Sequence, residues 1–515
     1  MAAATLSELP DELVLDIISR CSHANLLCLA RVNKRMYEIA SSILYAHVHF
    51  RWNFKKSESP RNAHFERDYK KLESTGPPHA ISLLGAFLRK PHLGLHVQRL
   101  ELLGGGFDYR YPYSFILNHD KEKLKSLSYE ELRPPPLWWD GAEETLRSAI
   151  SLVAEFDLPY SELWVEKLRE GTMDAIIALM LVRLPNLRSL IVQRDFTKEQ
   201  TCVMAVLRTV ALEKLDWLPR FIHLREISMR FDMDDWICRN ANSQLLLPLF
   251  YLPAIEALDL DLDDPMQWSW PTPAPPDAAS IKSLTLRNVR EHGLKFILAT
   301  TKNLEKLEWM ASHSQVSIIN QASDATTSKM MDLDVVTGAL LPLRNTLVDL
   351  SLGLNTVHPF GEDFFYLDFH GSLTGIAQLE KVERFQVELV YLASNALFDN
   401  RFPIWERVPR NLRILVFWPP PLIFPVADDQ EEELGTSILF RNMREWMHKW
   451  RGETPRLERI EVLTFAGDAW SWGRQFFRDL FAEDATTGIE MVYSCEEIWG
   501  GTSPVEHPPY DETGW

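Results

Sequence analysis

Residues 281–310 read IKSLTLRNVREHGLKFILATTKNLEKLEWM, and their spacing decides the fold. Ile281, Leu284 and Leu286 are answered by Leu304, Leu307 and Trp309, each an apolar residue with two more at +3 and +5. The last two of each triplet lie two apart, so they point to one side of a strand. The first packs one step before the strand and helps to turn the corner. Residues 293–300, between the triplets, read as a helix. A strand with one apolar face has no mate of its own. A second strand–helix unit beside it buries that face and pairs the strands in parallel.

The triplet recurs on both sides of this stretch. Before it come Val97–Leu100–Leu102, Leu187–Leu190–Val192, Leu224–Ile227–Met229 and Ile255–Leu258–Leu260. After it come Leu347–Leu350–Leu352, Val382–Phe385–Val387, Leu412–Leu415–Phe417 and Leu457–Ile460–Val462. Leu124–Leu127–Tyr129 and Leu212–Leu215–Trp217 are weaker matches, and residues 489–493 read as a last strand. Helices are expected at Met173–Val182 and over residues 438–450. Proline breaks at Pro185, Pro253 and Pro409 precede strands. If +3 and +5 face the core, +2, +4 and +6 face the other side. That side would expose Glu226, Ser228, Arg230, Asp259, Asp261, Ser283, Thr285, Arg287, Lys306, Glu308, Arg384, Gln386 and Glu388. Ile414, Val416 and Trp418 would form an apolar strip there. We take Arg230, Asp259, Asp261, Arg287, Ile414, Val416 and Trp418 as candidate contacts for a protein target, with Trp418 as the anchor.

This pattern resembles the leucine-rich repeat, whose period is about 20–29 residues. Ile281 to Leu304 fits that period, whereas Leu187 to Leu224 and Leu304 to Leu347 are longer. The repeats are therefore degenerate, with insertions. A non-repeating α/β fold that merely alternates strand and helix is the other reading. Two insertions mix Pro with Trp, PPPLWWD at 134–140 and PMQWSWPTPAPP at 265–276. They read as loops folded back on the repeats or, less favoured, as docking loops. The basic residues between 55 and 71 and the acidic run at 428–433 read as solvated.

At the start of the chain, residues 6–48 read LSELPDELVLDIISRCSHANLLCLARVNKRMYEIASSILYAHV, three short helices. Pro10 opens the first, with Asp11 and Glu12 in its first turn, and Asn33 is placed to cap the third. So many aliphatic residues in so short a segment cannot all be buried within it. Leu9-Pro10-Asp11-Glu12-Leu13, then Ile17, Leu26, Leu29, Val32-Asn33-Lys34-Arg35 and Leu44-Tyr45 resemble an F-box. The resemblance implies docking on a Skp-type adaptor and through it on a cullin. The positions it carries over are Leu9, Pro10, Glu12, Ile17, Leu26, Val32 and Leu44. Met36 is taken into the same adaptor contact, standing where the family often has Trp, a gap that Met fills with less area; together with the degenerate repeats, the chain resembles fungal-type F-box proteins.

Composition narrows the function further. The chain has 515 residues, 46% of them hydrophobic, and a formal net charge of −18. An ample globular core is within reach, and a general binder of nucleic acid is not indicated, since phosphate neutralisation needs clustered Lys and Arg. The acid surplus mildly favours a neutral or basic partner. Five scattered Cys, none in a CxxC, and the absence of an N-x-Ser/Thr sequon read as reduced thiols in a cytoplasmic or nuclear protein. No signal-peptide pattern and no membrane-spanning run are expected. Gly104-Gly105-Gly106 lacks the Lys-Ser/Thr of a phosphate loop, and no GxSxG, HExxH or zinc spacing occurs. No enzyme, cofactor or metal is expected.

The resulting expectation is an α/β chain: a three-helix F-box at 1–50, a linker at 51–80, an irregular leucine-rich-repeat-like solenoid at 81–498 and a tail at 499–515. Its function would be substrate recognition in an SCF-type cullin–RING ubiquitin ligase. The other class is a non-catalytic scaffold acting outside a ligase. The two differ in whether Leu9, Ile17 and Leu26 face solvent or are buried.

Overall fold

The computed structural model describes residues 9–53, 79–105, 142–156, 158–193, 201–213, 215, 218–230, 243–265, 267–312, 330–355, 368–388, 391–392, 404–418, 443, 445–464 and 489–495. The chain divides into two compact units, residues 1–282 and 283–515. Each combines helices with a parallel sheet.

The first unit begins with α1 (Asp11–Ser19), α2 (His23–Leu29) and α3 (Lys34–Leu44). Pro10 stands just outside α1 as its cap. Ser22 Oγ accepts the Asn25 N–H at 3.4 Å, and Asn33 Oδ1 accepts the Met36 N–H at 2.8 Å, so α2 and α3 both start on side-chain caps. Five parallel strands then pair in chain order: β1 (His47–Asn53), β2 (Arg99–Gly105), β3 (Ser189–Val192), β4 (Glu226–Met229) and β5 (Ala257–Asp261). Residues 47–53 thus belong to the sheet, although they sit at the expected junction of F-box and linker. Gly104 and Gly105 lie in β2, opposite Trp52 and Asn53, and form no loop. Leu212 ends a helix, α8 (Thr201–Leu212), rather than opening a strand.

Helices cover the apolar face of this sheet. They include α4 (His79–Arg89), α5 (Glu143–Glu155), α6 (Ser161–Glu170) and α7 (Met173–Val182). From Asp174 to Val182 every residue of α7 is buried. Asp174 survives there because its carboxylate accepts the Cys202 and Val203 N–H groups at 2.6 and 3.1 Å, at the start of α8. The Pro/Trp insertion at 265–276 folds back on this unit. Trp270 meets Phe250 edge-on at 5.6 Å, and Tyr251 donates its hydroxyl to the Ala274 carbonyl at 2.8 Å. The insertion at 134–140 and the weak triplet at 124–129 lie outside the described residues, as do the acidic run and the tail.

In the second unit β6 (Ser283–Arg287) and β7 (Lys306–Ser312) flank α10 (Glu291–Leu298). The sheet continues through β9 (Asp349–Asn355), β11 (Arg384–Glu388), β12 (Ile414–Trp418), β13 (Arg459–Thr464) and β14 (Glu490–Cys495), all parallel. Two short strands, β8 (Met330–Asp332) and β10 (Asp368–His370), pair beside it. Among the described residues, every full triplet read from the sequence is buried, none of its members more than 4% exposed.

One local geometry repeats at the strand entries. The carbonyl just after the first triplet residue accepts two consecutive N–H groups from the next strand's entry. Gln98 O takes Arg188 and Ser189, Arg188 O takes Arg225 and Glu226, and Arg225 O takes Glu256 and Ala257. In the second unit Glu305, Val348, Glu383 and Arg413 do the same. A corner that would otherwise leave backbone donors unpaired is closed the same way each time.

Candidate functional site

Two kinds of surface stand out, one on the N-terminal helices and one on the sheet face of each unit, taken separately. The helical bundle owns a small core of Val14, Ile18, Leu26 and Met36, with Leu9, Cys21, Leu29, Ile39, Ile43 and Leu44 packed around it. Arg35 ties α3 to the entry of α1: it pairs with Asp11 at 2.7 Å and donates to the Leu9 carbonyl. The other side of α3 rests on α4. Tyr45 meets Phe87 at 6.3 Å, and Lys90 lies 5.1 Å over the Tyr37 ring.

This arrangement uses one stripe of α1 and leaves another outside. Val14 and Ile18 point inward, whereas Leu13, Leu15 and Ile17 are 53%, 43% and 45% exposed. Leu27 and Val32 join them on the surface at 45% and 66%. Such a density of exposed aliphatic side chains marks an interaction surface. Of the residues assigned from the sequence, Pro10, Glu12, Ile17 and Val32 are exposed and Leu9 and Leu44 half-buried. Leu26 and Met36 are buried in the bundle at 5% and 3% exposure. Leu13, Leu15 and Leu27, which were not among the positions carried over, are exposed alongside Ile17 and Val32. Their signal was available: apolar residues around more than one stripe of a short helix imply a second partner.

The second surface is the sheet face turned away from the core. Alternation predicted it open and polar, but the structure closes much of it. Ser228, Asp261, Gln386, Glu388 and Val416 are buried. Neighbouring strands bring same-face side chains together, and these pair sideways. Arg230 meets Asp259 at 3.1 Å, and Ser228 donates to the same Asp259 carboxylate at 2.9 Å. In the second unit Arg287 meets Glu308 at 3.1 Å, and Asp349 sits between Lys306 and Arg384 at 3.7 and 3.4 Å. Arg459 pairs with Glu461 at 2.8 Å.

Glu388 differs from these acids. Its strand position faces Trp418 in the register, and Gly353 lies one step beyond the Leu352–Val387 pair on its other side. The Trp418 ring reaches across to Gly353, with Cζ3 3.1 Å from where a Cβ would stand, and the Met310 thioether closes on the same spot from β7. Glu388 therefore lies beneath Trp418 and is 1% exposed. One carboxylate oxygen accepts the Leu354 N–H; among the described residues the other, Oε2, has no partner, and neither has the buried Trp418 Nε1. Burial pushes the Glu388 carboxyl well above its usual range, against the smaller opposing effect of the Leu354 N–H. Ile414 and Trp418 remain part-exposed.

No group of three or more potential metal-binding side chains occurs among the described residues. No described helix is long and apolar enough to cross a membrane. Residues 6–51 match the family described as F-box-like, the segment that forms α1 to α3 and most of β1. A comparison with curated proteins found no match.

Proposed function

We propose that this chain is the substrate-recognition subunit of an SCF-type cullin–RING ubiquitin ligase. The F-box-like helices bind a Skp-type adaptor, the adaptor brings the cullin, and the sheet-bearing remainder holds a target protein. The observation that carries this reading is the exposed aliphatic set Leu13, Leu15, Ile17, Leu27 and Val32 on a bundle that already has its own core. The chain supplies proximity and orientation and needs no catalytic residue of its own.

The repeating carbonyl geometry at strand entries supports a degenerate leucine-rich-repeat solenoid over residues 81–498. We place the F-box at 1–50, a connection at 51–80 and a tail at 499–515, with β1 crossing the first boundary. The proposed target contacts are Arg230, Asp259 and Asp261 on the sheet of the first unit and, separately, Arg287, Ile414, Val416 and Trp418 on the sheet of the second. Val416 acts there by supporting its part-exposed neighbours. Cytoplasm or nucleus is the proposed location; Cys21, Cys28 and Cys202 are free thiols.

The test is co-purification of the full chain with a Skp-type adaptor, beside an Ile17→Asp/Val32→Asp variant. Both positions are on the surface, so the bundle should stay folded. The intact chain should bind and the variant should lose at least about tenfold in affinity, as buried-charge penalties at an interface centre do. No binding by the intact chain would replace the ligase reading with a scaffold outside a ligase.

A further inference from the structure

We propose that Glu388 and Trp418 form a subsite for a basic side chain, lysine or arginine, presented by the target protein on the sheet face of the second unit. The inference rests on the reading above that this face receives the target, and it names the chemistry selected there. Three observations carry it.

First, the closed subsite leaves two opposite groups on neighbouring strands without partners among the described residues. Glu388 Oε2 is a buried acceptor without a donor, and Trp418 Nε1 is a buried donor without an acceptor. Buried polar groups are nearly always paired, so each orphan asks for an explanation. Moving the indole aside breaks no side-chain hydrogen bond, and it uncovers the acceptor.

Second, the charges around Glu388 are already committed. Arg287 pairs with Glu308, Lys306 and Arg384 pair with Asp349, and Arg459 pairs with Glu461. Among the described residues no cation lies against Glu388, and the causes that shift its carboxyl include no positive charge. A cation from outside would find this acid unclaimed. The chain's formal charge of −18 favours approach of a basic segment over an acidic one.

Third, the cover beside Glu388 is made of side-chain tips, the Met310 thioether and the Trp418 ring, whose displacement would open a path for a long thin side chain. Gly353 has no Cβ where the tips of Met310 and Trp418 meet, so the floor beside Glu388 is kept low by a residue without a side chain. Substitution there would push both tips outward. An ammonium or guanidinium entering past Met310 would reach Oε2 and lie against the indole face, where the ring quadrupole also favours a cation. The Glu388 proton leaves to solvent as the cation arrives, which converts an unpaired buried acid into a charge-assisted hydrogen bond.

The experiment uses the full chain and short synthetic peptides of degenerate sequence. One central position is fixed as Lys, Arg, citrulline or Glu; citrulline keeps the shape of Arg without its charge. Retention of Lys and Arg peptides should exceed that of citrulline peptides by about tenfold. Glu388→Gln keeps an acceptor for the Leu354 N–H and should erase the preference without lowering the thermal midpoint. Trp418→Ala should reduce retention of every peptide that binds through the basic residue. Arg413→Ala, at the opposite end of β12 from Trp418 and paired with Glu383 and Glu458, should change nothing. Equal retention of citrulline and Arg peptides, preference surviving in Glu388→Gln, or no retention of any peptide would each overturn the subsite. Adaptor co-purification in the same preparations reads the ligase assignment separately: adaptor binding can fail while charge selection holds, and the reverse.

Discussion

Asp174 and Glu388 are both buried acids, and their surroundings give them different natures. Asp174 is held by two N–H groups at a helix start, a site made for negative charge. Glu388 has one N–H, and burial outweighs it, so its carboxyl titrates well above the usual 4.5. The folded chain then holds a proton that the unfolded chain has already released. The stability this contributes is complete below the unfolded value and is lost as pH rises through the folded one. Without a basic partner, the thermal midpoint of the wild type should fall as pH is raised from about 5 towards the folded value, and Glu388→Gln should flatten that slope. Superimposable slopes for the two proteins would show that Glu388 is not held neutral by its site.

At the scale of the element, Met36 decides whether the N-terminal helices are a module. It is buried among Val14, Ile18 and Leu26, so its truncation leaves a cavity rather than a lost surface contact. Met36→Ala should cost about 2–5 kcal/mol within the bundle, while the volume-conserving Met36→Leu should cost less than about 1.5 kcal/mol. Hydrogen exchange of α1–α3 in the full chain would read this directly; equal protection in both variants would place Met36 outside the core. Much of the element level was legible in the sequence. The triplets mark core strands because each member faces an apolar layer, a property of short-range spacing, and the Asn33 cap is equally local. β1 was missed because HVHFRWN carries no triplet and becomes a strand only by pairing with Arg99–Gly105, far along the chain. The second sheet face was misread for a related reason. Polar residues there look solvent-facing in sequence, but lateral partners such as Asp259 for Ser228 lie one repeat away.

For the molecule as a whole, β1 has the larger consequence, because it makes the N-terminal helices continuous with the first sheet. Seven residue pairs join β1 to β2, and the Ala46 carbonyl accepts both the Gln98 and Arg99 N–H groups at 2.9 and 3.0 Å. The F-box-like helices and the sheet are therefore coupled through β1, which favours a fixed presentation of one relative to the other within this unit. The same continuity predicts how the chain responds to truncation. A chain starting at residue 54 would uncover the whole edge of β2, with Leu100 and Leu102 behind it, and would remove the Tyr45 and Tyr37 contacts with α4. Unpaired edges of this kind recruit other chains. Light scattering after size exclusion should show that chain self-associating, with a lower thermal midpoint than the full protein, even though the deleted segment lies beyond the proposed target surface. A monodisperse truncated chain of unchanged midpoint would mean that β1 is an accessory strand, and that the F-box-like helices are mounted on the sheet by α3 alone.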